Sequence, residues 1–245
     1  MKRFIRLTLG AIFVIISLGG CVITNFSDST TVAGTGVVQT FEYPVSAYSR
    51  VRAEGLVDIH YRSAPSNIVR LDVQPNLHEY FEVRVIDGEL IVGIRRGINI
   101  RPTTRPVLTI STPNLEAVIM RGSNNFTAHD RIRGNTFTIS QTGSGGATAD
   151  LDVQSLEASL SGSGDFSFSG RSDRVSLTIT GSGSIDALSV ETREATVRLS
   201  GSGRLGVNSS ETLSINASGS GTVSYRGSPR LSLSNTGSVR INNVE

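Results

Sequence analysis

The sequence predicts an all-β protein whose larger part is a parallel β-helix-like solenoid, built from two-strand coils of about 19 residues. Three observations support this fold class. A Gly-Ser pair recurs at intervals of 18 to 21 residues from residue 122 onward. Alternating apolar and polar residues flank the pairs, as is typical of strands. The 245 residues include 26 Gly and no Trp, and only 6% are aromatic, a composition that favours strands and turns.

Each repeat is interpreted as a strand, a glycine turn, a second strand and a loop. Before the Gly-Ser pair at residue 181, Val175, Leu177 and Ile179 alternate with polar residues. After the pair at residue 162, Phe166 and Phe168 alternate in the same way. A sharp bend between strands needs backbone angles that glycine adopts most easily. We therefore predict six structural turn residues, namely Gly143, Gly162, Gly181, Gly201, Gly219 and Gly237.

One such unit is too small to fold alone, because each inner face carries few apolar residues. Coils stacked about 4.8 Å apart would pair each strand with its counterparts above and below and would form continuous apolar columns. A β-sandwich of antiparallel hairpins, with turns about every 8 to 12 residues, is the main alternative. A flexible Gly-Ser linker is a second alternative, although linkers do not alternate with strands in phase. We also expect hydroxyl-to-backbone hydrogen bonds along a serine column of Ser144, Ser163, Ser182, Ser202, Ser220 and Ser238.

Residues 1–20 are typical of a bacterial lipoprotein signal peptide. Three basic residues precede an apolar run at positions 7–18, which is short for a membrane span. The run ends in Leu-Gly-Gly before Cys21, which resembles a lipobox and makes Cys21 the predicted lipidation site. Cys21 is the only cysteine and so has no internal disulfide partner. An ordinary signal peptide or membrane anchor that contains a cysteine is the alternative.

The rest of the chain divides into three predicted segments. Residues 21–36 are polar and indicate a flexible tether. Residues 37–113 indicate an N-terminal β region packed on the solenoid, in which Asp87-Gly88 predicts a type I′ hairpin turn. Residues 76–81 are expected to form a short helical turn. Residues 114–245 are the predicted GSG-repeat solenoid.

Charge and side-chain chemistry disfavour several classes of function. The signal peptide holds three of the 23 Lys and Arg and none of the 21 Asp and Glu, so the remainder has a net charge of −1. This balance offers no electrostatic basis for binding nucleic acid or acidic lipid through net charge. The three histidines lie far apart in sequence without the spacing of metal ligands, so no metal or cofactor is expected. The candidate carboxylates form no acidic ladder, which disfavours an enzyme. These histidines and carboxylates are His60, His78, His129, Asp150, Asp152, Asp165 and Asp186.

Several sequence stretches together resemble a known family. They are Thr-Pro-Asn-Leu-Glu-Ala-Val at 112–118, Leu-Ser-Gly-Ser-Gly at 160–164 and 199–203, and Ser-Gly-Ser-Gly-Thr-Val-Ser-Tyr-Arg-Gly-Ser-Pro at 218–229. The resemblance is to the putative autotransporter adhesin, head GIN domain family, and it covers residues 48–241. It implies a β-helix-like fold in bacterial surface or periplasmic proteins, often lipoproteins, without assigned catalytic activity or functional residues. The sequence departs from the repeat at Ser123-Asn124-Asn125 and at Asn235-Thr236.

The sequence therefore predicts an exported cell-envelope lipoprotein with a non-catalytic β-solenoid ectodomain that acts as an adhesion or interaction module. A carbohydrate-active enzyme or a glycan-binding protein on a β-helix scaffold is the alternative. The expected partners are a membrane, reached through the lipid on Cys21, and a glycan or an envelope protein. In a diderm cell, Val22 after the cysteine indicates the outer membrane, because an Asp there would resemble an inner-membrane retention signal.

Overall fold

A parallel β-solenoid makes up most of the protein, in a computed structural model that describes residues 29–245. The predicted fold class is confirmed. The elements in chain order are β1 Thr30–Ala33, β2 Gln39–Tyr43, β3 Arg50–Gly55, β4 Asp58–Ser63, β5 Ile68–Val73, α1 Pro75–His78, β6 Phe81–Ile86, β7 Glu89–Ile94, β8 Ile98–Arg101, β9 Val107–Thr112, β10 Ala117–Gly122, β11 Asn125–Ala128, β12 Ile132–Gly143, β13 Ala147–Gly162, β14 Asp165–Gly181, β15 Ser184–Gly201, β16 Arg204–Gly219, β17 Thr222–Arg226, β18 Arg230–Gly237 and β19 Arg240–Asn243.

The coils stack through parallel strand pairs. Strands β12 to β16 pair in sequence order, and each glycine at the end of one strand is paired with the glycine at the end of the next. In the last coil, β18 precedes the glycine turn and β19 follows it. They pair in parallel with β16 and β17, respectively. This parallel pairing excludes the antiparallel sandwich that was the main alternative.

The core consists of aliphatic columns that run through successive coils. One column contains Ala158, Leu177, Val197 and Ile215, which are partners in consecutive strand pairs and at most 1% exposed. Burial of one such aliphatic side chain contributes about 1.5–3 kcal/mol relative to exposure. Because each column extends across coils, the burial that one coil lacks is supplied by its neighbours.

The solenoid begins before the predicted boundary at residues 113 and 114. Strands β3 and β4 form a coil of their own, and Gly55 pairs with Gly122 of the next coil in the same way as the later glycines pair. Strands β7 and β9 add a further level by pairing in parallel with β3 and β4. The antiparallel strands β6, β5 and β2 then extend this end of the stack. The predicted N-terminal region is thus partly solenoid, interrupted by an insertion between β4 and β10.

The departure from the motif after Gly122 has a structural role. Asn124 replaces the second glycine of the Gly-Ser-Gly sequence, and its side chain is fully buried. Its Oδ1 accepts a 3.0 Å hydrogen bond from the Val57 amide, and its Nδ2 donates a 2.8 Å bond to the Arg121 carbonyl. The amide side chain therefore joins the two coils on either side of the insertion.

The predicted hairpin turn and the predicted tether both fall in the N-terminal part of the chain. The Asp87-Gly88 turn is confirmed, because it joins the antiparallel strands β6 and β7 with φ angles of 49° and 71°. The predicted tether at 21–36 differs from the structure at its end, since β1 pairs in parallel with β8 from Thr30 onward. The polar composition of β1 concealed this strand, whose partly buried Val32 packs against the core. The predicted signal peptide and Cys21 lie outside the described residues.

Candidate functional site

The six predicted turn glycines lie in one column at a corner of the solenoid. At Gly181 the φ angle is +128°, and a Cβ atom there would lie 2.5 Å from the carbonyl oxygen of Gly162 in the coil below. The Ser182 amide donates a 3.0 Å hydrogen bond to the same carbonyl oxygen. The corner therefore requires glycine for two reasons, its backbone angle and the close approach of neighbouring coils.

The predicted serine hydroxyl ladder at this corner is wrong. The six serine side chains are exposed, and none of their hydroxyls hydrogen-bonds within residues 29–245. Their backbone amides make the contacts instead, as when Ser163 donates to the Gly143 carbonyl over 3.1 Å. Because the amides already satisfy the glycine carbonyls, the hydroxyls are left facing solvent.

A buried hydroxyl ladder lies at the opposite end of the coils. Ser172, Thr192 and Ser209 are paired across successive strands and are at most 6% exposed. The Ser172 hydroxyl donates to the Arg174 carbonyl over 2.7 Å, and the Ser209 hydroxyl donates to the Thr212 carbonyl over 2.8 Å. These side chains satisfy carbonyls where the chain bends out of its regular ladder.

Charged side chains alternate in sign along the outer surface next to this bend. Arg133, Asp152, Arg171 and Glu191 are partners in successive strand pairs. Arg171 donates a 2.9 Å hydrogen bond to Asp152, and this bond raises the pKa of the guanidinium group. Such alternation favours the native register, because a one-coil shift would place like charges together.

The four candidate carboxylates do not form one site. Asp152 belongs to the alternating column, and Asp150 pairs with Arg131 over 2.8 Å. Asp186 accepts a 3.0 Å hydrogen bond from the Leu188 amide, while Asp165 is exposed on the far side of the glycine corner. Across residues 29–245, no group of three or more His, Cys, Asp or Glu is arranged to hold a metal ion.

Two of the three histidines are brought together by coil stacking. His60 on β4 and His129 after β11 have ring centroids 4.9 Å apart in a T-shaped arrangement. Partial desolvation lowers the pKa of His129, and the positive charges of His60 and Arg62 lower it further, while Asp130 raises it. His78 lies apart from this pair and stacks on Phe41 at 3.7 Å. The insertion separates His60 and His129 in sequence, so their spacing gave no sign of the contact.

A surface groove of about 510 Å³ crosses five coils of the solenoid, and we call it the flank groove. One wall is the in-register column Arg174, Glu194, Thr212 and Arg230. The other wall is a column of outward polar residues on the same strands. Glu157 begins this second column, and the remaining members are Ser176, Thr196, Ser214 and Ser232.

The charged residues of the flank groove differ from those of the alternating column. Among the residues that the structure describes, Arg174, Glu194 and Arg230 form no salt bridge, although the first two are partners on neighbouring strands. Eight salt bridges elsewhere in residues 29–245 use other side chains, for example Arg193 with Glu211 at 2.7 Å. The groove therefore combines hydroxyl groups with charges that remain available to a ligand.

The stacked parallel strands define the chain as a β-solenoid protein, and the flank groove lies open on its surface. The family model described as "Putative auto-transporter adhesin, head GIN domain" matches residues 47–229, and the chain belongs to that family. The resemblance inferred from the sequence is thereby confirmed. Among curated protein sequences, none matches this chain.

Solved structures of similar proteins share the fold. A putative adhesin from Bacteroides fragilis is 24% identical with a TM-score of 0.81, and the alignment covers 87% of this chain and 100% of that one. A putative lipid binding protein from Parabacteroides distasonis is 25% identical with a TM-score of 0.75 and coverages of 88% and 100%. A putative adhesin from Parabacteroides merdae is 21% identical with a TM-score of 0.66 and coverages of 88% and 99%. No helix within the described residues is long and apolar enough to cross a membrane.

Proposed function

We propose that this protein is an exported lipoprotein, anchored through Cys21, whose solenoid is a non-catalytic adhesion or interaction module. Family membership over residues 47–229 supports an adhesion-like role. The lipobox-like sequence before Cys21 supports the anchor. Several acyl chains on one residue give stable membrane attachment.

The flank groove is the proposed binding surface, and the unpaired charges of Arg174, Glu194 and Arg230 are the observation that carries this assignment. Strand spacing repeats the polar side chains about every 4.8 Å along the solenoid axis. An extended polymer lying along the axis can therefore meet equivalent hydroxyl groups on successive coils. Guanidinium groups bind carboxylates in a bidentate manner, so a glycan or envelope polymer with carboxylate groups fits this surface.

A glycan-active enzyme on the same scaffold is the second candidate. Its reaction would need two carboxyl groups about 5–9.5 Å apart. The acidic residues of the flank groove, Glu157 and Glu194, are two coils and two residues apart, which places their Cα atoms about 12 Å from each other by strand geometry. The cross-strand neighbours of both glutamates are hydroxyl residues or Arg174, so no second carboxylate lies beside either one, which favours binding over hydrolysis.

Glycan-array binding together with a polysaccharide depolymerisation assay separates the two candidates. We expect retention of acidic glycans without release of shorter products. The double variant Arg174→Gln/Arg230→Gln should lose at least tenfold in affinity, because each guanidinium supplies a charge-assisted hydrogen bond. Arg198→Gln/Arg204→Gln, which removes two exposed arginines outside the groove, is the matched control. Equal loss in both variants, or steady product release, contradicts the proposal.

The anchor is tested separately by mass spectrometry of the N-terminal peptide from isolated membranes. We expect a diacylglycerol-modified cysteine at position 21 in the wild type. The Cys21→Ser variant should be released from the membrane fraction. Its solenoid should still fold, since position 21 lies outside every described strand. An unmodified Cys21 in membrane-bound protein contradicts the anchor.

A further inference from the structure

The N-terminal end of the solenoid carries a cluster of arginines without acidic neighbours in sequence. Between residues 90 and 115 there are four arginines and no Asp or Glu. Two of them are occupied, since Arg105 pairs with Asp58 and Arg95 donates a 2.8 Å hydrogen bond to the Glu79 carbonyl. The other two, Arg96 and Arg101, are exposed and have no hydrogen-bond or salt-bridge partner within residues 29–245.

Strand pairing explains why these two side chains face outward. In β8, Ile98 and Ile100 pack against the core, so the alternating positions, including Arg101, face solvent. Arg96 lies in the turn that precedes β8. Gly34 donates a 2.8 Å hydrogen bond to the Arg101 carbonyl, and the nearby Val37 is 83% exposed. We call this surface of Arg96, Arg101 and Val37 the basic cap.

The basic cap lies where the chain enters from its predicted anchor. The Thr30 amide hydrogen-bonds to the carbonyl of Gly97, the residue after Arg96, over 2.9 Å. Cys21 is nine residues before Thr30, and that length of chain spans at most about 32 Å in any conformation. A lipid on Cys21 would therefore hold the basic cap close to the membrane surface.

We propose that the basic cap docks on the anionic headgroups of the membrane to which the protein is anchored, an inference that rests on the proposed lipidation of Cys21. Arg96 and Arg101 bind lipid phosphates, and Val37 inserts among the headgroups. Guanidinium groups match phosphate geometry in a bidentate manner. Electrostatic attraction to the membrane surface decays within about 10 Å, so only the charges nearest the membrane contribute. The near-zero net charge of the whole chain therefore does not oppose this contact. The solenoid axis then points away from the membrane and exposes the flank groove.

Vesicle partitioning tests this proposal independently of lipidation in the cell. The protein beginning at Cys21 is coupled through its only thiol to a maleimide that carries one 14-carbon chain, since a single chain gives marginal membrane binding. Binding is measured by sedimentation with phosphatidylcholine vesicles and with vesicles that also contain phosphatidylglycerol. We expect tighter binding to the anionic vesicles. The double variant Arg96→Gln/Arg101→Gln should bind these vesicles about 30-fold more weakly, or roughly fivefold for each arginine.

The matched control is Arg226→Gln/Arg240→Gln, which removes two exposed, unpaired arginines at the other end of the described chain. It should retain wild-type partitioning, and added salt should weaken the wild type but not Arg96→Gln/Arg101→Gln. Equal binding to both vesicle types, or equal losses in the two double variants, overturns the docking proposal. An unlipidated Cys21 in the cell would contradict the anchor but leave these vesicle results interpretable.

Discussion

Thr192 is paired with Ser172 on the neighbouring coil, and its buried hydroxyl donates a 3.0 Å hydrogen bond to the carbonyl of Asp173 in that coil. The same hydroxyl lies 3.3 Å from the Glu194 carbonyl in its own coil. One side chain thus connects two coils where the backbone ladder is irregular, since the register shifts on both sides of Thr192.

Replacing this hydroxyl with a methyl group should destabilise the solenoid. Thr192→Val keeps the side-chain shape but leaves two partly buried carbonyls without this donor, so the free energy of unfolding should fall by about 1–2 kcal/mol. Thr178→Val is the control, because Thr178 faces outward and its hydroxyl has no partner in the described part of the chain. Urea unfolding followed by circular dichroism measures both, and similar losses would mean that the ladder does not contribute.

The glycine corner should be less tolerant than an ordinary glycine turn. Gly181→Ala introduces both a strained φ angle and a collision with the Gly162 carbonyl. Gly88→Ala introduces strain alone, because nothing lies within 4 Å of the added methyl group. We expect a loss of about 1–2 kcal/mol at Gly88 and at least about 3 kcal/mol at Gly181, measured by denaturant unfolding. Equal losses would show that coil contact at the corner adds nothing to the backbone cost.

A buried glutamine offers a stabilising substitution. Gln141 is 1% exposed, and its Oε1 has no hydrogen-bond partner. Its paired neighbours are Met120 and Leu160, so a leucine fits the column. The Gly122 carbonyl that Gln141 contacts also accepts from the Ser144 amide, so Gln141→Leu leaves it satisfied. We expect the free energy of unfolding to rise by about 1 kcal/mol in Gln141→Leu. In the reverse test, Leu160→Gln, it should fall by several kcal/mol.

The histidine contact should be visible in the pH dependence. The pKa of His129 is lowered in the folded protein, so the unfolded chain binds more protons as the pH falls through the ordinary histidine range. This group therefore contributes stability above about pH 6.5 that is lost as the pH falls to the folded-state value. An NMR titration should show the His129 pKa moving upward in His60→Gln. His78→Gln, distant from the pair, should leave it unchanged, and a shift there instead would contradict the assigned contact.

The glycine corner could be predicted from sequence because the same residue recurs wherever coils approach closely. Gly55 could not be found in this way, since the insertion places it 67 residues before its partner Gly122 and hides the period. The hydroxyl ladder was missed for a different reason. Ser172 occupies an inward position, but a polar residue in an alternating strand is ordinarily interpreted as outward. The flank groove depends on which side chains lie side by side across strands, and that requires the register.

The pairing of Gly143, Gly162 and Gly181 in one unbroken column has a consequence for how far the protein extends from its anchor. Each added coil lengthens the stack by a fixed step of about 4.8 Å. It covers the exposed strand edges of the previous coil and exposes equivalent strand edges of its own. Duplication of one repeat unit would therefore move the far end outward by that step while leaving the basic cap and both walls of the groove chemically unchanged. Length in this architecture can vary independently of attachment and recognition.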